Sequence, residues 1–286
     1  MFAVEDTNVT TGARWFVHSG TGTDAAGFGQ NPDAPTATID FAIGLASASV
    51  GDIIYVMPGH AEAISAAADI DVDKIGLKII GLGEGSNRPT ITLDTIDSVD
   101  IDIDAASVTI ENIIFSANED DIVALFDVNA DDFTLRNCHF QATATDKNFL
   151  IVVQDAAAGG SDRITIEGCT SSMLDASDTH FVNFAGTGDG HIVRNNVLHG
   201  NWGTIAIGGA GVVTNCTIVN NVMFNIAVDA DACINMAATA TGIMAYNACA
   251  GGHATDGIVA GDLGSIENYY ELSTSDLSGI LEPASS

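Results

Sequence analysis

"NCTIVNNVMFN" occupies residues 215–225, and "IVRNNVL" occupies residues 192–198. The shared "IV" followed by asparagines places anchors at Asn195 and Asn221, 26 residues apart, and "MAYNAC" adds Asn247 after another 26. Toward the N-terminus the same frame meets Gly168 in "ITIEGC", Asn137 in "FTLRNC", Asn112 in "VTIENI" and Gly81 in "LKIIGL", at intervals of 27, 31, 25 and 31 residues. Self-similarity at such a period marks a repeat architecture. Apolar residues alternate ahead of the anchors, as at Val108/Ile110, Phe133/Leu135 and Ile164/Ile166, which is the period of a strand buried on one face. Asn and Gly are the residues that enter a tight turn with positive φ most readily. Each unit therefore reads as strand, turn, strand.

Repeats of 25–31 residues built this way fit an all-β fold, a single-stranded right-handed parallel β-helix whose coils stack about 4.8 Å apart. Leucine-rich repeats have a similar length, but their fixed leucine spacing is absent. In such a stack equivalent side chains lie one above another. The amides of Asn112, Asn137, Asn195, Asn221 and Asn247 are therefore expected to bond along the axis as a structural ladder. Repetition is what stacking needs, so these anchors read as scaffold rather than site.

Three parts are expected: a strand, loop and capping helix in 1–50, the β-helix proper in 51–260, and a C-terminal cap or contact tail in 261–286. In the first, Ile39, Ala42, Ile43 and Ala46 fall on one helical face, with Thr36 or Thr38 as the N-cap. A helix there covers the open end of the first coil. In the last, Tyr269 and Tyr270 read as a partner contact, because tyrosine offers contact area at low entropic cost. A cap folded on the last coil is the alternative.

The chain has 286 residues, with 38 acidic against 8 basic side chains and a formal charge of −30. That surface repels phosphate backbones, which argues against nucleic acid as a partner. No apolar run approaches the ~18 residues of a membrane span. "FAVEDTNVT" after Met1 has neither the basic nor the apolar part of a signal peptide, so the expectation is synthesis in a host cytoplasm without export. The five cysteines read as small buried apolar residues rather than disulfides or ligands. The clusters "DVNADD" (Asp127, Asp131, Asp132) and "NEDD" (Glu119, Asp120, Asp121) lack the spacing of known calcium loops. No metal and no cofactor is expected, with calcium as the alternative at these clusters.

The segment from Arg14 onward resembles right-handed parallel β-helix proteins, whose usual pattern runs "P-x-x-T-I-x-x-A-I-x-x-A" and then "G-D-x-I-x-V-x-P-G". Pro35, Thr38, Ile39, Ala42, Ile43 and Ala46, then Gly51, Asp52, Ile54, Val56, Pro58 and Gly59, stand at those positions. With the repeats, the resemblance covers residues 13–260. "VMPGHAEAI" followed by "KIIGLGEGSNRPTITL" further resembles β-helix proteins of tailed bacteriophages, some of them virion proteins. That resemblance implies a structural virion protein: a capsid decoration or cement protein on the capsid surface, bound to the major capsid protein, assembled with itself as a homotrimer, and not an enzyme.

The alternative is a phage tail spike or fibre that binds or cleaves acidic polysaccharide, with a glycan as its partner. Pectate-type lyases pair calcium carboxylates with a basic residue, and here Arg136 and Arg194 each precede an anchor, where ion pairing is the simpler reading. Polygalacturonase-like hydrolases use grouped aspartates beside a "GHG" motif. "GDGHIVR" lacks that motif's second glycine, so the family's catalytic carboxylates do not carry over. "LDASDTH" and "GDGHIVR" nevertheless place Asp178, His180, Asp189 and His191 about one coil apart, and these four are the expected acid–base residues if the chain is an enzyme.

Overall fold

The computed structural model describes residues 10–155, 159–173, 175, 177–227, 232–250, 257–271 and 278–281, the side chains of 271 and 278–281 excepted. Residues 1–9 of the expected N-terminal part, and 272–277 and 282–286 of the expected tail, lie outside these. The chain is a parallel β-solenoid with three long sheets of ten, eight and ten strands. The path runs from a strand of sheet 1 through a tight turn to sheet 2, then through longer loops to sheet 3 and back. Sheet 1 begins with β1 (Arg14–Val17) and β2 (Ile53–Val56) and ends at Gly264–Ile266. Sheet 2 runs from Ala61–Ile64 through Asn268–Glu271 to Ser278–Leu281, and sheet 3 from Ile70–Asp71 to Ile258–Val259.

Parallel pairing thus starts before residue 51, with Arg14 opposite Ile53, and continues past residue 260, with Ala248 opposite Tyr269. Ser278–Leu281 then pairs antiparallel with Asn268–Glu271 and ends the stack. The alternation read from sequence becomes columns of identical chemistry. One interior column of sheet 1 runs Ile54, Ile79, Ile110, Leu135, Ile166, Val193, Ile218 and Met244, all buried. Phenylalanines fill the middle coils, with Phe115 stacked on Phe140 at 5.7 Å and edge-on to Phe126 at 5.0 Å. Every coil buries its inward face on its neighbours, which is where a solenoid's stability resides.

The capping helix is α1 (Ile39–Leu45), and Ile39, Ala42 and Ile43 are buried against the first coils. Thr38 is the N-cap, its hydroxyl accepting from Phe41 N at 3.4 Å, while Glu62 accepts from Ile39 N at 3.1 Å. Asp52 of the "GD" pair is buried and fastens three elements at once. Its carboxylate accepts from Ala13 N at 2.6 Å, Ser47 N at 2.9 Å and the Trp15 indole at 3.2 Å.

The ladder is shifted by one residue from the expected frame. Pairing sets Arg194 opposite Val219, so Asn195 matches Asn220, and Asn221 matches Asn196. Asn112, Asn137, Gly168, Asn195, Asn220 and Tyr246 occupy the turn, all with φ between +53° and +65°. The residue after each turn points inward, and there Asn196, Asn221, Asn247 and Asn268 are fully buried. Each amide is bonded to the next: Asn196 Nδ2 to Asn221 Oδ1 at 2.9 Å, Asn221 Nδ2 to Asn247 Oδ1 at 2.9 Å, and Asn247 Nδ2 to Asn268 Oδ1 at 2.8 Å. Asn112, Asn137 and Asn195 are corrected from ladder to turn residues, because only αL geometry closes this two-strand corner. Ile113, Cys138 and Cys169 fill the ladder column in the earlier coils.

The cysteine reading needs one correction. Cys233 and Cys249 form a disulfide, Cα atoms 6.3 Å apart, whereas Cys138, Cys169 and Cys216 are free and buried. The bonded pair joins a residue beside sheet 3 to one in sheet 2 across the narrow interior of a late coil, a proximity that 16 residues of sequence separation does not announce.

Candidate functional site

Three short stretches, "IDVD" at 70–73, "IDID" at 101–104 and "FDVN" at 126–129, share one pattern: apolar residues inward, acids outward. Sheet 3 sets them in register, with Asp71 opposite Asp102 and Asp102 opposite Asp127. The row continues through Gln154, Asn183, Gly208 and Asn235. Carboxylates on adjacent strands stand about 4.8 Å apart, half-buried by the flanking loops.

Burial, followed by the repulsion of Asp100, Asp104, Asp127 and Asp71, pushes the Asp102 carboxyl up to about 6. Asp71, Asp127 and Asp40 of α1 are raised too, each first by burial and then by acidic neighbours, and in Asp40 a backbone hydrogen bond at Asp71 partly opposes this. A carboxyl that holds its proton to about pH 6 in a row of acidic side chains is an arrangement that can exchange protons or bind hydroxyl donors. Among the described residues no group of three or more His, Cys, Asp or Glu side chains converges to hold a metal ion. The expected "DVNADD" cluster is instead engaged by Arg163, which bonds Asp132 at 2.6 Å and Asp131 at 3.1 Å.

The four acid–base candidates are not brought together. Asp178 is fully buried, its carboxyl facing the Asn148 amide and the Asn201 backbone N–H, and burial pushes it up to about 8. His180 opens the sheet 3 strand His180–Asn183, and burial pushes its imidazole down to about 4. Asp189 lies exposed at the next corner, accepting from Thr214 Oγ1 at 2.6 Å and Asn215 Nδ2 at 2.7 Å, bonds that hold it below the usual carboxylate range.

His191 is a core residue. Its ring stacks on Phe184 at 5.0 Å, Nδ1 accepts from Ile164 N at 3.2 Å, and burial pushes it down to about 4. The glycine of "GDGH" serves this packing: a Cβ at Gly188 would stand 2.1 Å from His191 Nε2. No hydrogen bond or ion pair joins any two of the four among the described residues. Grouping them by sequence proximity was misleading because the corner turns two of the side chains inward.

The "IDVD/IDID/FDVN" row was missed in the sequence, although its intervals of 31 and 25 residues are those of the anchors. The arginines that precede anchors do stack. Sheet 1 alternates Glu111, Arg136, Glu167 and Arg194 along one outward column, with Arg194 bonded to Glu167 at 3.0 Å.

A second surface feature lies on the turn side of the late coils. There Val197, Phe224, Ile243, Tyr246, Ile266 and Tyr269 are each 47–53% exposed. Tyr270 of the expected contact pair is half-buried against the core, leaving Tyr269 as its outward member.

No protein-family model matches the chain, and no curated protein sequence matches it. Solved structures do. A rhamnogalacturonan lyase is similar at 13% identity, over 91% of this chain and 67% of that one, with a TM-score of 0.49. The pectin methylesterase of Aspergillus niger is similar at 14% identity over 96% and 93%, TM-score 0.38, and ORF18 of Geobacillus virus E2 at 12% over 82% and 57%, TM-score 0.37. Likeness at these identities is one of fold. It corrects the expectation that the chain is not an enzyme, since chains named as a lyase and an esterase share this architecture. What the geometry establishes is a parallel β-helix.

Proposed function

We propose that this chain is a structural subunit on the exterior of a tailed-phage virion, of the capsid-decoration kind, working through interface area. The observation that carries this reading is the apolar corner of the late coils. Six large side chains stand half-exposed there, a patch in the ~300–600 Å² range of a monomer's largest apolar patch, which is often a functional one. The phage resemblance of the "VMPGHAEAI" segment supports it. The test is quantitative peptide mass spectrometry on purified virions of the source phage, referenced to the major capsid protein. Hundreds of copies per particle are expected. A handful would move the chain to a tail appendage, and none would overturn the reading.

A second reading is favoured by Asp102: a spike-like β-helix that binds or cleaves a polysaccharide along the Asp71–Asp102–Asp127 row. A carboxyl pushed up to about 6 by burial and by its acidic neighbours can act as a proton donor to a glycosidic oxygen. Glycan release from host envelope material that disappears in Asp102→Asn would establish it, and equal activity in that variant would remove the row from consideration.

A further inference from the structure

We infer that the apolar corner is the face through which two copies of this chain pack together, an inference that rests on the assembly reading above and names its first partner. Sheets 1 and 2 meet at the turn, and four outward columns flank it. In the first coils the first two columns hold the covered apolar cluster of Ile53, Tyr55 and Ile80, and in the middle coils the four columns are polar or charged apart from Ile114 in the third. Lys78, Thr109, Thr134 and Thr165 form one, and Glu111, Arg136 and Glu167 the next. Across the turn, His139 and Thr170 stand in the third, with Gln141 and Ser172 in the fourth.

From Ile192 onward the same columns change character. The first runs Ile192, Thr217 and Ile243, and the second passes from Arg194 to Val219, Ala245 and Ile266. The third runs Val197, Val222, Ala248 and Tyr269, and the fourth passes through Phe224. Tyr246 stands in the turn, at φ +58°, where the preceding coils carry Asn195 and Asn220. A solenoid's outward columns do not serve its own core, so a change at fixed lattice positions reports on what lies outside them.

Area and charge select the occupant. Three half-exposed aromatic side chains of ~150–250 Å² each and three smaller aliphatic ones present roughly 500 Å², of the order of the ~800 Å² per partner of a standard interface. Half-buried Val222 and Ala248 lie between them and add to it. The strands and turns of sheets 1 and 2 from Ile192 to Ala250 contain no Asp or Glu, Glu267 stands exposed in the next turn between Ile266 and Tyr269, and no Lys or Arg follows Arg194. Two copies of a chain with a formal charge of −30 repel wherever acids face acids. Up to Ala250 this corner offers both copies an apolar face without acids, with Glu267 exposed in the turn at its C-terminal end, and it can meet itself across a two-fold axis.

The experiment is sedimentation velocity of the purified full chain across the micromolar range, at physiological and at molar salt. A species of at least twice the chain mass is expected, and more of it at high salt, where like-charge repulsion is screened. The variant Phe224→Gln/Ile243→Thr/Tyr246→Asn borrows residues that the same columns carry at Gln141, Thr165 and Asn195. It should melt like the parent and associate at least tenfold more weakly. Tyr246→Asn alone, which suits the αL turn, should weaken association in the same direction, and Val123→Gln, exposed on the early coils, should not. A monomer at every concentration, or an oligomer untouched by a triple variant with native melting, overturns the inference. A monomer abundant on virions would sink self-packing and leave the virion reading standing. An oligomer absent from virions would do the reverse.

Discussion

Asn195 and Asn196 are sequence neighbours with opposite roles, one an exposed turn residue with φ +58° and the other a buried rung. Removing a rung strands its partners. Asn221 accepts from Asn196 N and Nδ2 and donates to Val193 O, so Asn221→Ala leaves several buried polar groups unpaired, at ~1–3 kcal/mol each. Its thermal unfolding should drop by many degrees, whereas Asn195→Ala carries only the αL penalty of ~1–2 kcal/mol. Equal melting of the two variants would mean the amides do not support the stack. Asp178 makes a pH prediction. Its folded-state value of about 8 exceeds the ordinary 3.8, so between those values only the folded chain holds the proton, and stability falls as pH rises, levelling off above 8. His180 and His191 act in the opposite sense. They are buried neutral with values near 4 against 6.5, and the stability they support is complete above 6.5 and is lost as pH falls toward 4. The window from 6.5 to 8 therefore isolates Asp178. There the melting temperature should decline with pH in the parent and stay level in Asp178→Asn, and parallel slopes would refute the assignment.

At the scale of elements, α1 and β1 depend on one carboxylate more than on their own length. A seven-residue helix and a four-residue strand are not stable alone, and Asp52 ties both to β2. Asp52→Ala releases two backbone N–H groups and the Trp15 indole, a loss of roughly 3 kcal/mol if the cap stays docked. The variant should melt earlier and show red-shifted tryptophan emission as Trp15 meets water; unchanged emission and melting would mean the helix docks by apolar contact alone. The helix, its cap at Thr38 and the strand-turn-strand unit were all legible, because periodicity and capping are local signals. The phase of the ladder was not. "IVRNNV" and "IVNNVM" align equally well with a spacing of 25 or 26, and only strand pairing decides that Arg194 faces Val219. The disulfide and the inward turn of His191 were hidden for a related reason, since both depend on which way a corner folds across the interior.

Over the whole molecule the exterior is partitioned along the axis. Acids gather on sheet 3 of the early coils, alternating ion pairs stiffen sheet 1, and apolar residues take over the turn side of the late coils. Composition revealed the charge but not its address, because the outward columns emerge only after the coils are in register. The address has a consequence for stability. Asp71, Asp102 and Asp127 are stacked as like charges, and their raised pKa values mean that ionising them destabilises the fold as pH rises, for Asp102 from about 4 to about 6 with levelling off above. At neutral pH Asp102 is above its value of about 6 and mostly ionised, and the Debye length shrinks from ~10 Å at 0.1 M salt to ~3 Å at 1 M, below the strand spacing. Added sodium chloride should therefore raise the melting temperature of the parent at pH 7. Asp102→Asn replaces the central charge by the amide that already continues the row at Asn183 and Asn235. It should melt about 2–4 °C higher than the parent at low salt and gain less from added salt. Near pH 4.5, where Asp102 keeps its proton, the salt responses of the two chains should converge. If the parent and Asp102→Asn respond to salt alike at pH 7, the stacked carboxylates carry no electrostatic strain, and the acidity of sheet 3 has to be explained by what binds there rather than by what the fold tolerates.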